Sequence, residues 1–101
     1  MDRRLELQEK LESILGSRNV YFQPPSNTKL SYPCIVYNRD DIDTKYANNT
    51  TYNIRVRYSL TLIGRSPESE LIKEILKLPY CSYDRFFTAD TLNHDTFTLY
   101  Y

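Results

Sequence analysis

The sequence predicts an α+β fold: a single antiparallel or mixed sheet of about four strands, with two helices packed on one face. Three patterns lead to this prediction. Residues 3–15 repeat apolar side chains at helical spacing, residues 52–63 alternate apolar with polar side chains, and residues 66–79 join a helix start to a second apolar stripe. Shorter runs rich in β-branched and aromatic residues supply the other strands, at residues 34–37, 81–87 and 95–101.

The first helix is predicted over residues 3–15. Its apolar stripe consists of Leu7, Leu11, Ile14 and Leu15, with charged side chains between them. Gly16 follows the last apolar position, where a left-handed C-terminal cap is expected, and Asp2 can cap the start. We therefore expect this helix to pack its stripe against the sheet.

The second helix is predicted to begin at Ser66, Pro67 and Glu68. Serine can cap the helix, proline suits a first turn whose N–H groups lack partners, and glutamate suits the positive end of the helix dipole. The apolar stripe of this helix is Leu71, Ile72, Ile75 and Leu76. Pro79 is predicted to end it.

The clearest strand is predicted over residues 52–63. Its alternation has Ile54, Val56, Tyr58, Leu60 and Leu62 on one side, and Arg55, Arg57, Ser59 and Thr61 on the other. One face is therefore expected to be buried and the other to be polar and basic, which favours an antiparallel sheet with one covered side. In the last strand, Phe97, Leu99 and Tyr101 are expected to share a face, after a turn or loop that contains Asp90, Asn93 and His94.

Two segments are predicted to be irregular. Residues 20–33 contain Pro24 and Pro25, which cannot donate backbone hydrogen bonds and favour an extended path. The bond between Tyr32 and Pro33 is expected to be trans, as most bonds before proline are. Residues 39–51, rich in Asn, Asp and Thr, are predicted to form a flexible loop between two strands.

Length and composition fit one domain over residues 1–101. The 13 basic and 13 acidic residues cancel, so no overall charge attracts nucleic acid or an anionic membrane. The 10 tyrosines and 4 phenylalanines suit either the centres of interfaces or a tyrosine-rich sheet. The charged start lacks a signal region and no run approaches a membrane span, so we expect a cytosolic protein in which Cys34 and Cys81 are reduced.

Two patterns superficially indicate chemistry. Cys81, His94 and Asp95 could form a nucleophile set, but the last two are adjacent and neighbouring strand residues point to opposite faces. Asp40, Asp41 and Asp43 look like part of a calcium loop, but they lack its central glycine and its terminal glutamate. The sequence therefore predicts no catalytic site and no metal site.

A small nucleic-acid-binding or regulatory module is the alternative function. Arg55 and Arg57, beside Tyr52 and Tyr58, suggest a sheet surface on which bases stack. Tyr58, however, lies on the apolar side of its strand while the arginines lie on the other. The neutral net charge also weighs against this interpretation.

Three stretches of the chain resemble the tail-completion proteins of long-tailed bacteriophages, also called tail terminator or head–tail joining proteins. They are residues 19–37, which include Tyr-Pro-Cys-Ile-Val-Tyr, the strand at residues 52–63, and residues 78–101, which include Tyr-Asp-Arg-Phe-Phe. The resemblance follows the order of segments from the first helix to Tyr101. The resemblance depends on short stretches of similar residues and on the order of the segments rather than on a catalytic signature.

The resemblance implies a structural protein of the virion. Such proteins form a ring, usually a hexamer, on the finished tail tube, where the ring stops tube growth and presents the surface that docks to the head connector. The implied partners are other copies of the chain, the tail tube protein and the head connector protein, while DNA only passes through the channel. The family implies no cofactor, no enzymatic residue and no membrane. The implied location is the head-proximal end of the tail, after assembly in the bacterial cytoplasm.

The predicted site is therefore a contact surface for subunits, the tail or the connector. Its residues are Arg39, Asp40, Asp41, Lys45, Tyr46, Tyr52, Arg55 and Arg57. Arg55 and Arg57 are expected to make intersubunit or channel-facing contacts rather than intrachain ones. The loop at residues 39–51 is expected to become ordered in the ring.

Overall fold

The computed structural model describes residues 3–47, 50–65 and 70–101, without the side chains of residues 43–47 and 50–54. The elements in chain order are helix α1 (Arg3–Leu15), strands β1 (Val20–Phe22), β2 (Cys34–Ala47) and β3 (Thr50–Gly64), helix α2 (Leu71–Leu76), and strands β4 (Cys81–Ala89) and β5 (Leu92–Tyr100). The strands form one sheet in the order β1-β2-β3-β5-β4, which is mixed because β1 is parallel to β2. The predicted α+β fold is confirmed, with five strands rather than about four.

Both helices pack on the same face of the sheet. Their apolar stripes meet the inward side chains of β2, β3 and β5 in one core. The fully buried side chains of this core are Leu7 and Leu11 of α1, Ile75 of α2, and Ile35, Tyr37, Leu60, Phe97 and Leu99 of the sheet. Neither described helix is long and apolar enough to cross a membrane.

Helix α1 has the predicted bounds. Gly16 ends it with a φ of +79° and its N–H donates to the carbonyl of Glu12 at 2.8 Å, which is the expected left-handed cap. Helix α2 ends at Leu76, before Pro79. The predicted caps of these helices, Asp2 and Ser66, lie outside the described residues.

Tyr37 is a core tyrosine whose polar end is satisfied. Its ring centre lies 5.0 Å from that of Phe22 and 5.9 Å from that of Tyr58. Its hydroxyl donates to Oε1 of Gln8, and the Gln8 amide donates to the carbonyl of Val20 at 2.9 Å. Part of the tyrosine content therefore stabilises the core and the contact between α1 and the sheet.

The opposite face of the sheet carries a smaller apolar cluster. Cys34, Ile63 and Leu92 are buried there, and Tyr21, Leu30 and Tyr32 pack against them. The bond between Tyr32 and Pro33 is cis, contrary to the expectation. The segment that contains Pro24 and Pro25 thus runs beside a face that the sequence predicted to be polar.

Two segments predicted to be irregular lie partly in strands. Residues 20–22 form strand β1, because the Val20 backbone pairs with Ile35 of β2 in a parallel ladder. Asn93 and His94 lie within β5, because the β4–β5 hairpin turns in only two residues, Asp90 and Thr91, with φ of 53° and 62°. Both positive values are those of a tight hairpin turn.

The loop predicted at residues 39–51 is the largest correction. Residues 39–47 and 50–51 lie in β2 and β3, which pair with each other in antiparallel register up to Ala47 and Thr50. A polar composition on both sides of a chain is compatible with a strand whose two faces are both solvated. Residues 48–49 lie outside the described residues.

Candidate interaction site

The first surface is a two-stranded ribbon that extends past the rest of the sheet. Strand β1 pairs with β2 only at residues 35–37, and β5 pairs with β3 only at residues 57–64. Within the described chain, residues 40–47 and 50–55 therefore pair only with each other, and we call them the ribbon. At about 3.3 Å per residue, residues 40–47 span roughly 25 Å, about half of the molecule's longest dimension of 51 Å.

Arg57 fixes the base of the ribbon. Its Nε lies 2.8 Å from Oδ1 of Asp40, and its Nη2 lies 3.8 Å from Oδ2 of Asp41. A register shift between Arg39 and Asp41 marks a β-bulge at this point, and bulges bend strands and increase their twist. Hydrogen bonds to Asp40 and with Tyr100 raise the pKa of the Arg57 guanidinium above its ordinary value.

The expectation that Arg55 and Arg57 lack intrachain contacts is wrong. Arg57 forms the ion pairs just described, and the guanidinium of Arg55 lies 5.0 Å from the ring centre of Tyr80. Both side chains nevertheless stay at the surface: that of Arg57 is 36% exposed, and Arg55 is exposed. An intrachain contact at such exposure leaves donors available to a second molecule.

The second surface is a cleft beside the first turns of α1. Its larger cavity has a volume of about 560 Å³ and is lined by Arg3, Glu6, Lys10, Arg55, Pro79, Tyr80, Tyr100 and Tyr101. The Arg3 guanidinium and the Lys10 ammonium lie 4.7 Å and 5.0 Å from the ring centre of Tyr101. Arg3 also donates from Nε to the Tyr101 carbonyl at 3.3 Å, so the start of α1 meets the chain just after β5.

A smaller cavity of about 380 Å³ adjoins the first, because Arg3 and Tyr101 line both. It also contains Arg4, Phe22, Arg39, Val56 and Tyr58. The Arg4 guanidinium lies 4.6 Å from the ring centre of Phe22. We call the two cavities together the basic cleft.

The basic cleft concentrates positive charge in a chain whose net charge is zero. Arg3, Arg4, Lys10, Arg39 and Arg55 line it, and Glu6 is the single carboxylate side chain among the described lining residues. The described ion pairs involve Arg57, Lys73 and Lys77, and none of them includes Arg3, Lys10, Arg39 or Arg55. The described lining of the cleft therefore has an excess of positive charge.

The third surface is the outer edge of β4. This strand ends the sheet on one side, and most of its side chains are exposed. Tyr83 and Phe86 are 41% and 48% exposed although both are large and apolar. The strand at the opposite edge, β1, has only 3 residues. An exposed apolar edge strand is a ready template for pairing with another chain.

Cys81, His94 and Asp95 do not form a nucleophile set in this structure. The Asp95 carboxylate accepts from the Tyr83 hydroxyl at 2.7 Å, while the His94 ring stacks on Phe87 at 4.7 Å. Burial, followed by the charge of Asp84, raises the pKa of the Cys81 thiol to about 11. No group of three or more His, Cys, Asp or Glu side chains that could hold a metal ion occurs among the described residues.

The structure places the eight predicted site residues at two of these surfaces. The backbones of Lys45, Tyr46 and Tyr52 belong to the ribbon, and their side chains lie outside the described part. Asp40, Asp41 and Arg57 form the ribbon base, and Arg39 and Arg55 line the basic cleft. The fold brings the last two together with residues from both ends of the chain.

Sequence reasoning missed Arg3, Lys10, Tyr80 and Tyr101, because no local pattern shows that distant segments meet. One signal was present at the start of α1. Two arginines occupy its first turn, where the positive end of the helix dipole disfavours cations. Their position is therefore unfavourable for the isolated helix and indicates a contact elsewhere.

Comparisons with protein-family models, with curated proteins and with solved structures find nothing that matches this chain.

Proposed function

We propose that this chain is a structural virion protein that forms a ring, with six subunits, at the end of a bacteriophage tail tube. The ring would terminate tail growth and provide the head–tail joining interface. The resemblance of residues 19–37, 52–63 and 78–101 to tail-completion proteins suggests this role. One structural observation carries it, which is the ribbon.

The ribbon supports the proposal because its two outer edges have no strand partner within the described chain. A two-stranded ribbon is marginally stable in water by itself. A neighbouring subunit that covers the ribbon would satisfy its edge groups and bury Ile42, which is 50% exposed. The feature is therefore expected in a subunit that completes its structure by assembly.

The edge of β4 supports the same proposal. A ring is built from head-to-tail contacts, so each subunit needs two different complementary surfaces. The ribbon strand β2 and the edge strand β4 differ in length, at 14 and 9 residues, and in sequence. In the proposed ring, each subunit contacts one neighbour through the ribbon and the other neighbour through the β4 edge. Other faces contact the tail tube protein and the head connector protein.

The test is electron microscopy of particles from a phage in which this gene is interrupted. The proposal expects overlong tails, or complete tails and filled heads that do not join. Expression of the intact gene from a plasmid should restore normal particles, which excludes an effect on neighbouring genes. Normal infectious particles from the interrupted phage would show that the proposal is wrong.

A small nucleic-acid-binding module is the second candidate function, and the basic cleft is the observation that favours it. A cleft lined by five cations together with aromatic side chains is typical of a surface that binds single strands. Such a module would bind DNA or RNA as a monomer, with an affinity that falls steeply with salt. Phage particles that assemble normally, together with such binding, would favour this function over the ring.

A further inference from the structure

The basic cleft has five cations and one carboxylate, Glu6, among its described lining side chains. Arg3, Lys10, Arg39 and Arg55 line it without an ion pair to a described carboxylate. Clusters of like charge are unfavourable unless counter-charges approach them. We infer that the basic cleft binds an acidic peptide segment, rich in Asp and Glu, of a partner protein.

The dimensions fit a segment of chain rather than a single ion. Cavities of about 560 Å³ and 380 Å³ adjoin at Arg3 and Tyr101. Sites for ligands of more than a few heavy atoms typically begin at roughly 300 Å³. A short extended peptide can therefore place successive carboxylates in the two cavities.

The donors suit carboxylates. A guanidinium presents paired N–H groups that match the two oxygens of a carboxylate, and a lysine supplies a compact charge with three donors. Tyr80 and Tyr101 fix the direction of these cations, because Arg55, Arg3 and Lys10 lie over their rings at 4.7–5.0 Å. Cations held in place lose less side-chain entropy when a ligand arrives.

The contacts between these cations and the tyrosine rings weigh against nucleic acid as the ligand of the cleft. Binding of single strands uses aromatic faces on which bases stack. A base that stacked on Tyr101 or Tyr80 would compete with the cations that already lie over these rings. The net charge of zero also gives no long-range attraction for a polyanion.

This inference does not depend on the proposed ring. Arg55 is the one described residue shared by the ribbon and the basic cleft. Arg3 and Lys10 belong to α1 and to neither proposed subunit contact. Substitutions at these two positions therefore test the basic cleft separately from assembly.

The experiment measures binding of a fluorescein-labelled peptide of six glutamates to the whole chain by fluorescence anisotropy at low salt. Arg3→Gln and Lys10→Gln should each weaken binding by about fivefold, as expected for loss of one exposed charge pair. Arg85→Gln is the matched control, because Arg85 also lies over a ring, that of Phe87 at 5.1 Å, but outside the cleft. The affinity of Arg85→Gln for the peptide should equal that of the unchanged protein. In the unchanged protein, the NMR shift changes on peptide addition should centre on Tyr80 and Tyr101.

Three results would overturn the inference. The first is no peptide binding by the unchanged protein. The second is an equal loss of affinity in Arg3→Gln, Lys10→Gln and Arg85→Gln, which would indicate non-specific charge attraction. The third is tighter binding of a labelled oligothymidylate of the same length than of the peptide, which would identify the ligand class as nucleic acid. Melting curves of each variant confirm that the compared proteins are folded. If Arg3→Gln does not fold, Lys10→Gln still tests the inference.

Discussion

At the scale of single residues, burial decides what the titratable side chains can do. Burial raises the pKa of the Cys34 thiol to about 11. Burial, followed by the negative charge of Asp84, raises the pKa of the Cys81 thiol to about 11 as well. A thiol with a raised pKa keeps its proton at neutral pH and is a poor nucleophile. The contribution of these buried, protonated thiols to stability is complete at pH values below about 9, which is the pKa of the same thiols in the unfolded chain. That contribution is lost as pH rises toward 11, because the unfolded chain then releases its protons first.

Cys81 should therefore react slowly with alkylating reagents. In a Cys34→Ala variant, the rate with iodoacetamide at pH 8 should be about 100-fold below that of a free cysteine peptide, in proportion to the thiolate fraction. The rate should still be rising at pH 10. A rate that reaches a plateau below pH 9 would contradict the protonated state assigned to this thiol.

Leucines on the two sides of α1 should differ sharply in their contribution to stability. Leu7 is fully buried and Leu5 is 46% exposed on the same helix. Leu7→Ala should lower the free energy of unfolding by about 3 kcal/mol because it leaves a cavity in the core. Leu5→Ala should lower it by about 0.5 kcal/mol or less. Denaturant unfolding of both variants measures the difference, and equal losses would show that α1 does not pack as described.

At the scale of elements, the sequence predicts well where one periodicity dominates. The bounds of α1 match, and the alternation in β3 correctly separates Tyr58, Leu60 and Leu62 from the outward side. Strand β1 was missed because its 3 residues are defined by a distant parallel partner. The ribbon residues up to Thr51 were missed because their polar composition lacks the alternation that marks a half-buried strand.

The turn predicted between β4 and β5 is shorter than expected, for a chemical reason. Tight hairpin turns with two positive φ values usually carry Asn-Gly or Asp-Gly, whereas this turn carries Asp90 and Thr91. A β-branched residue is strained at the φ of 62° that Thr91 adopts. The sequence therefore showed a polar stretch without the usual signal for a hairpin.

Thr91→Gly should stabilise the protein. Removal of the strained Cβ should raise the free energy of unfolding by about 1 kcal/mol, less the entropy that glycine adds to the unfolded chain. Thermal unfolding should show a rise of a few degrees in Tm. Thr88→Gly is the matched control, because Thr88 pairs with Asn93 within the strand and glycine weakens strands. A fall in Tm for Thr91→Gly would mean that the turn has another geometry.

At the scale of the whole molecule, neutral net charge conceals a separation of charge. The five cations of the basic cleft come from α1, β2 and β3, so no window of the sequence shows them together. Arg39 and Arg55 could be chosen from the sequence as surface cations. Their meeting with Arg3 and Lys10 is a result of tertiary packing and lay beyond any local pattern.

Shortening the ribbon should separate folding from assembly. Asp43 and Arg55 are cross-strand partners, so residues 44–54 can be replaced by an Asn-Gly turn that keeps the register. Because the ribbon lies beyond the strands that pack on the helices, the Tm of the monomer should change little. The shortened protein should fail to rescue a phage with the interrupted gene, while the full-length gene rescues it. In the full-length protein, hydrogen exchange of the ribbon should slow on assembly, and full rescue by the shortened chain would remove the ribbon from the subunit contact.

The strand order has a consequence for how the chain folds. The β2–β3 and β4–β5 pairs are hairpins between strands adjacent in sequence, whereas the β3–β5 ladder joins Leu60 to Phe97 across helix α2 and strand β4. Hairpins form in about 1–10 μs, but the central ladder must first close a long intervening segment, which carries a larger entropic cost. We therefore expect the two hairpins to form early and the docking of β3 on β5 to limit the rate. Phe97→Ala should slow refolding more than Ile42→Ala, because Phe97 lies in the β3–β5 ladder whereas Ile42 lies only in the β2–β3 hairpin.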